Sequence, residues 1–422
     1  MVSNLLINNE LSQRFFKPLI ELYDQSQHQY NCKGVSDLAF AQLGISRVAS
    51  AVSSGHDFVQ KIADLSVTEM SVDHFFKALK SPRRLKNLSS LNDLLAQRLK
   101  QEIKDPFASF RELKNWEIYA VDGHYQEHAC HDPMFVKNGK ISYAPTGHFF
   151  RLNLRTHHLS LLDTMRPEYN QALQYGKKKE HDTTIIKRAT KDEIRYQAPV
   201  GKKVLLVWDK ACIDYETWGK LKKESGTYFI TMEKANSAAE VTSKDQCDHA
   251  DPRNKGIESD VSVRAGGQKL RRITYTNPMD KKSYVYLTNE LNLPAYLLVS
   301  FYKHRWDIEK VYYQLKSKFN ERKSWATSTE AKQAQATFEC LLHNLLLLME
   351  EYLQEVEGLY DEQSEKQNRG RKLMKPIGFI NQIVQRASHR SLKLIRWLRN
   401  LLFTQASWSH ALKRLHDIWC LN

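Results

Sequence analysis

Two short apolar segments of this chain each lead into a single aspartate. WEIYAVD ends at Asp122, and KKVLLVWD ends at Asp209. Residues that follow strands of an open α/β sheet lie at its edge, where functional groups collect in such folds. A third carboxylate, Glu309, lies in a mixed polar and aromatic segment further along the chain. Asp122, Asp209 and Glu309 are therefore our candidate catalytic residues.

The chemistry of three carboxylates depends on what lies between them. Unpaired carboxylates at one point repel each other and resist ionisation, so the arrangement favours bound cations. Oxygen-only ligands suit Mg²⁺, with Mn²⁺ as a substitute. Two such ions, about 3.5–4 Å apart, can activate an attacking oxygen and stabilise a leaving oxygen at a phosphodiester. We predict that Asp122, Asp209 and Glu309 bind two Mg²⁺ ions for this purpose.

Glu309 lies within YKHRWDIEKVYYQLK, which we predict to be one helix over 302–316. Because helical residues advance by about 100° each, four positions share a narrow stripe: Tyr302, Arg305, Glu309 and Lys316. Four apolar positions form the adjoining stripe, which is predicted to face the core: Ile308, Val311, Leu315 and Phe319. Arg305 and Lys316 could hold phosphate oxygens, and Tyr302 could donate a hydrogen bond. The alternative is a solvated face whose Arg305–Glu309 ion pair is worth only about 0.2–0.5 kcal/mol.

The spacing of these four residues resembles the Y-R-E-K signature of the bacterial insertion-sequence-four family of DDE transposases. Two residues separate Tyr302 from Arg305, three separate Arg305 from Glu309, and six separate Glu309 from Lys316. The resemblance implies an RNase H-like core, a mixed sheet flanked by helices, with the two aspartates and Glu309 as the metal-binding triad. It also implies that Tyr302, Arg305, Trp306 and Lys316 bind DNA.

The resemblance further implies a β-rich insertion between Asp209 and Glu309. Relatives use a tryptophan of this insertion to stack on a flipped base, whereas here no tryptophan lies between Trp218 and Trp306. Three insertion tyrosines remain, either as substitutes or as aromatic residues packed across a sheet: Tyr275, Tyr284 and Tyr286.

Length and charge fit this interpretation. The chain has 422 residues, with 63 Lys+Arg against 48 Asp+Glu and a net charge of +15, which favours a polyanionic partner. No apolar run approaches a membrane span, and the first residues do not form an export signal. The six cysteines include no Cys-x-x-Cys pair, as expected of reduced thiols. We expect a protein of the bacterial cytoplasm that joins the nucleoid when bound to DNA.

The chain divides into three predicted regions of an α/β protein. Residues 1–112 show helical periodicity and are expected to bind DNA. Residues 113–358 form the catalytic domain, in which HFFRLNLRT and HHLSLLD alternate as half-buried strands and about 235–294 form the β-rich insertion. Residues 359–422 are basic and helical, and serve DNA contact or dimerisation.

Other residues could imitate such a site. Asp163 and Asp214 are credible decoys, because a lone aspartate more often caps a helix or stabilises a turn. The loop DGHYQEHACH offers zinc-type donors at close spacing: His124, His128, Cys130 and His131. A polar loop rich in histidine is the alternative.

The sequence thus predicts a transposase that acts on double-stranded DNA, both the terminal inverted repeats of its own element and target DNA, as a homodimer. It would hydrolyse a phosphodiester with Mg²⁺ and transfer the resulting 3′ end. Two alternatives stay open: a catalytically silent relative that acts as a DNA-binding repressor, and an RNase H-like nuclease without strand transfer.

Overall fold

A computed structural model places most of the chain. It describes residues 9–25, 35–52, 54–63, 71–132, 134–137, 140–143, 145–165, 182–196, 198–237, 239–361, 378–381 and 392–420. Within these ranges, no helix combines the length and apolar character needed to cross a membrane.

The amino-terminal part is helical, as predicted. Its helices are α1 (Glu10–Gln25), α2 (Asp37–Ser50), α3 (Gly55–Ala63), α4 (Val72–Leu79) and α5 (Pro82–Glu102). Serines begin three of them, because a serine side chain accepts a hydrogen bond from an otherwise unpaired N–H of the first turn. Ser36, Ser71 and Ser81 accept from the backbone of Ala39, His74 and Arg84.

Eleven strands follow in the described ranges. They are β1 (Trp116–Gln126), β2 (Met134–Lys137), β3 (Lys140–Tyr143), β4 (Thr146–Asn153), β5 (Leu159–Thr164), β6 (Lys203–Val207), β7 (Thr227–Met232), β8 (Glu240–Val241), β9 (Ile257–Ala265), β10 (Gln268–Thr276) and β11 (Ser283–Thr288). Nine form one sheet in the order β5-β4-β1-β6-β7-β11-β10-β9-β8, and β2 pairs with β3 separately.

The remaining helices alternate with these strands or follow them. They are α6 (Asp182–Arg188), α7 (Lys191–Arg195), α8 (Tyr215–Ser225), α9 (Ala295–His304), α10 (Trp306–Lys318), α11 (Thr329–Glu355), α12 (Leu392–Leu401) and α13 (Trp408–Cys420). Two short helices, α6 and α7, precede β6. α12 and α13 lie in the carboxyl-terminal region that the sequence predicts to be helical.

The middle of the sheet confirms the α/β prediction. β1 pairs in parallel with β6, and β6 in parallel with β7, while β4 and β5 continue antiparallel on the other side of β1. Helices cover both faces, which makes a mixed sheet compatible with the RNase H-like fold of DDE transposases. One prediction here was wrong: β4 is buried along its whole length and does not alternate, because both of its faces are covered.

The β-rich insertion continues the same sheet. β11 pairs antiparallel with β7, and β10, β9 and β8 follow outward in turn. β9 and β10 are joined by Gly266 and Gly267, both with positive φ, as a two-residue hairpin turn requires. The insertion strands therefore lengthen the central sheet on the β7 side.

One long helix, α11, organises the core on one face of the sheet. Its apolar residues belong to a continuous buried cluster that includes residues of α1, α2, the sheet and α13. A second buried cluster lies on the opposite face of the sheet. It is built mainly from α6–α8 and from the residues of β1 and β6 that point to that face. The amino- and carboxyl-terminal helices thus share a core with the sheet.

A glycine shows how closely the amino-terminal helices approach α11. A Cβ added at Gly44 would lie 2.2 Å from the ring of Phe338. That ring is confined by Phe40 and Trp325, whose ring centroids lie 5.5 Å and 6.2 Å away. Because of this confinement, the ring has little room to yield.

Gly44→Ala is therefore expected to lower the free energy of unfolding by about 1–2 kcal/mol, because overpacking outweighs the higher helix propensity of alanine. Chemical denaturation measures the change. In a Phe338→Leu background the same alanine should cost much less. A Gly44→Ala protein more stable than the wild type would contradict the described packing of α2 on α11.

Candidate active site

The parallel register of β1 and β6 aligns two of the predicted carboxylates. The last paired residues are Ala120 and Val207. Asp122 and Asp209 each follow two positions later, so they lie side by side at the same end of the two strands. This alignment is a property of the register and was not deducible from either segment alone.

Asp122 does not end its strand, contrary to the sequence prediction. β1 continues to Gln126 because β4 keeps pairing with it, and Asp122 lies opposite Phe150. What ends near Asp122 is the pairing with β6. The side chain is 22% exposed, and its Oδ1 accepts a hydrogen bond from the N–H of Gly123 at 2.9 Å.

Asp209 lies just beyond β6, close to where the sequence placed it. β6 ends at Val207, Trp208 is buried, and Asp209 is half-buried at the start of a single 3-10 turn. Its Oδ1 accepts from the N–H of Lys210 at 2.5 Å. The turn fixes the direction of the carboxylate at the sheet edge.

The predicted single helix over 302–316 is two helices. α9 ends at His304 and α10 begins at Trp306, with Arg305 between them. The N–H of Arg305 donates to the carbonyls of both Phe301 and Tyr302, at 3.2 and 3.1 Å. Arg305 itself keeps right-handed helical angles, so Arg305 and Glu309 stay on one side.

The apolar stripe prediction is confirmed, since Ile308, Val311, Leu315 and Phe319 are all buried. Tyr302 is also buried, at 7% exposure, and its ring lies 4.9 Å from that of Tyr286. Tyr302 is thus turned into the protein, whereas Lys316 is half-buried in the last turn of α10.

Arg305 joins two of the three carboxylates. Its Nη2 lies 2.9 Å from Oε1 of Glu309, and its Nη1 lies 3.4 Å from Oδ2 of Asp122. The side chain of Arg305 is 10% exposed, against 31% for Glu309. The guanidinium therefore lies between a strand residue and a helix residue, largely out of water.

The charges of Asp122, Asp209 and Glu309 all influence Arg305, and those of Asp209 and Glu309 also influence Asp122. The pKa of Asp122 is raised to about 6, mainly by burial, with smaller contributions from the charges of Glu309 and Asp209. Arg305 and the N–H of Gly123 oppose that rise. Burial acts to lower the pKa of Arg305, but Tyr302 and the three carboxylates outweigh burial and raise it above its ordinary value. Asp122, Asp209, Glu309 and Arg305 thus form one electrostatic cluster.

The residues fit Mg²⁺ by their chemistry. Three carboxylates supply hard oxygen ligands, and a cation between them would offset both their burial and their mutual repulsion. As arranged, however, no three His, Cys, Asp or Glu side chains in the described part of the chain lie close enough together to hold one metal ion. The Arg305 guanidinium takes the position between Asp122 and Glu309.

The zinc-type donors near β1 do not converge. His124 is buried with its ring 4.6 Å from that of Tyr312, and His128 stacks on Tyr143 at 3.8 Å. Cys130 is exposed and lies 3.3 Å from Nζ of Lys323. The polar-loop alternative also fails for His124, which is buried within β1.

Both decoy aspartates have structural roles. Asp214 caps α8 by accepting from the N–H of Thr217 at 3.0 Å, and it also pairs with Lys187. Asp163 pairs with Arg188 at 2.7 Å. The three tyrosines at 275, 284 and 286 are part of the sheet. Tyr275 lies opposite Tyr284 on the neighbouring strand, Tyr275 and Tyr286 are buried, and the rings of Tyr284 and Tyr286, on one strand, stack at 6.3 Å.

The sequence reasoning missed the contacts that hold α10 against β1. The hydroxyl of Tyr312 donates to the carbonyl oxygen of Asp122 at 2.7 Å. Just after β1, the N–H of Glu127 donates to the backbone carbonyl of Arg322 at 2.6 Å. The carbonyl of Glu127 accepts from the backbone N–H of Ser324 at 3.0 Å. In the sequence, the only indication of this contact was that Tyr312 lies about one helical turn after Glu309.

The model of the transposase DDE domain family matches residues 93–345, more than half of the chain. The chain belongs to this family. The matched range contains Asp122, Asp209 and Glu309 and covers the whole nine-stranded sheet. Membership implies a transposase that acts on DNA. A comparison with curated proteins found no match.

Tyr312 provides a test of how this DDE domain holds Asp122. Tyr312→Phe is expected to lower the free energy of unfolding by about 0.5–1.5 kcal/mol, because the Asp122 carbonyl loses a buried hydrogen bond. Thermal or chemical unfolding measures the change. Tyr313→Phe is the matched control, since Tyr313 is 53% exposed and should tolerate the same loss. Equal effects of the two substitutions would contradict the role given to Tyr312.

Proposed function

We propose that this chain is an insertion-sequence transposase of the insertion-sequence-four type, which cleaves the ends of its own element and joins them to target DNA. The observation that carries the proposal is the cluster of Asp122, Asp209, Glu309 and Arg305 inside a transposase DDE domain. The Tyr302, Arg305, Glu309 and Lys316 spacing supports the subfamily.

Asp122, Asp209 and Glu309 would hold Mg²⁺, with Mn²⁺ as a substitute. When bound, two such ions supply positive charge to the attacking and leaving oxygens of a phosphodiester. The protein's own contribution is positional. β1 and β6 align the two aspartates by their register. α10 carries Glu309, and Arg305 contacts both Glu309 and Asp122.

The exposed side of α10 is the best candidate for a DNA-contacting surface. Trp306 is 59% exposed and Tyr313 is 53% exposed, and seven-residue spacing puts them on the same side of the helix. Lys318 lies 5.5 Å from the ring centroid of Tyr313. Exposed aromatic rings beside cations suit unpaired bases joined by phosphates.

The three regions take their expected roles within this proposal. The amino-terminal helices would recognise the inverted repeats, the sheet would carry the catalytic residues, and the basic carboxyl-terminal region would contact DNA or a second protomer. A homodimer would bring two element ends together. The net charge of +15 supports a polyanionic partner.

Glu309→Gln is expected to reduce Mg²⁺-dependent nicking by more than about a hundredfold, beyond the usual loss from residues that only support metal ligands. The substrate is DNA carrying the inverted repeats that flank the gene. Asp214→Asn is the matched control: it makes the same carboxylate-to-amide change at a helix cap, and nicking should persist.

The same assay separates the alternatives. Nicking by both the wild type and Glu309→Gln, or by neither, would defeat the assignment of Glu309, and binding without nicking would favour a repressor. Joined products distinguish a transposase from a nuclease, which would give clean cleavage alone.

The α10 surface leads to a binding prediction. Replacing Trp306 and Tyr313 with alanine should weaken binding to DNA with unpaired bases by about 1–3 kcal/mol per stacked base, with less effect on a blunt duplex. Fluorescence anisotropy compares the two DNAs. Val200→Ala is the control, because Val200 is fully exposed but lies outside α10 and outside the carboxyl-terminal region. A loss equal for both DNAs would argue against base stacking.

A further inference from the structure

Arg305 occupies an unusual position for a residue expected to contact DNA. Its side chain is only 10% exposed, and its two terminal nitrogens face Glu309 and Asp122. Its Nε is buried without a hydrogen-bond partner. The guanidinium thus pairs with two carboxylates of the site, while its buried Nε–H donor has no partner.

The place of this guanidinium is also where an ion shared by Asp122 and Glu309 would have to bind. Both carboxylates direct an oxygen at Arg305, at 3.4 and 2.9 Å. Divalent ions need oxygens at about 2.0–2.6 Å. Within the described ranges the carboxylates do not approach one another closely enough for that. Arg305 and a divalent ion therefore compete for the same oxygens.

We propose that Arg305 is an internal cation that neutralises the carboxylate cluster in the metal-free protein and must withdraw for Mg²⁺ to bind. This inference rests on the proposed metal site. It adds that the free protein binds divalent ions weakly because a built-in positive charge already pairs with their ligands. The released guanidinium would carry five N–H donors in a fork that matches phosphate oxygens.

The surroundings of Arg305 allow such a withdrawal. The contact with Asp122 is long, at 3.4 Å, and Arg305 lies at the break between α9 and α10. The guanidinium carbon lies 5.9 Å from the ring centroids of both Tyr302 and Trp306. Trp306 is exposed, so its face offers a cation–π contact on the way toward solvent.

The inference predicts an effect on metal affinity without DNA and without catalysis. Mn²⁺ binding to the full-length protein is measured by electron paramagnetic resonance of the free ion. Arg305→Gln should bind Mn²⁺ roughly tenfold more tightly than the wild type, because the competing charge is removed from a largely buried cluster. Arg305→Lys keeps the charge and should stay closer to the wild type.

Two controls fix the interpretation. Lys191→Gln removes a cation that pairs with Glu224 outside the site, and it should change Mn²⁺ affinity little. Asp122→Asn removes a proposed ligand and should weaken binding in the wild-type and Arg305→Gln backgrounds alike. Circular dichroism and thermal unfolding of each variant establish that it is folded before affinities are compared.

The outcomes separate this inference from the proposed function. Tighter binding by Arg305→Gln alone supports the internal cation. The inference would be overturned if Arg305→Gln left Mn²⁺ binding unchanged or weakened it. The metal site would still stand in that case, provided that Asp122→Asn weakens Mn²⁺ binding. If the folded wild type and Arg305→Gln both fail to bind Mn²⁺, or bind it independently of Asp122, the proposed metal site fails and the inference with it.

Discussion

The mutual repulsion of carboxylates gathered at one edge of the sheet is the constraint around which this site is built. Burial makes a charged carboxylate less favourable, and a nearby positive charge offsets that cost. In this protein Arg305 provides that charge, bridging Asp122 and Glu309. Two carboxylates of the cluster are thus already paired with a cation of the protein itself.

The fold positions the residues of this cluster. Parallel pairing of β1 and β6 makes Asp122 and Asp209 neighbours by register, with no loop conformation required to align them. Glu309 comes from a helix held against β1 by the Tyr312 hydroxyl and by backbone hydrogen bonds around Glu127. A shift of α10 along β1 would therefore separate Glu309 from Asp122 and break the cluster.

The rest of the chain stiffens this arrangement. α11 lies under the sheet and is packed on its other side by α1, α2 and α5, so the amino-terminal helices contribute to the same core. The insertion adds four strands to the free edge of β7 and leaves no gap in the sheet. Because these four strands are hydrogen-bonded in series to β7, the backbone fixes their position relative to the central strands.

The sequence alone determined the residue types and most of the elements. The apolar runs before Asp122 and Asp209, the stripe through Ile308 and Val311, and the spacing of the four signature residues follow from local periodicity, which a single segment contains. Tertiary structure decided which groups meet. The β1–β6 register and the pairing of the Arg305 guanidinium with Asp122 join positions far apart in the chain, and no local pattern encodes such contacts. For the same reason the burial of both faces of β4 was missed, since it depends on helices contributed by distant segments.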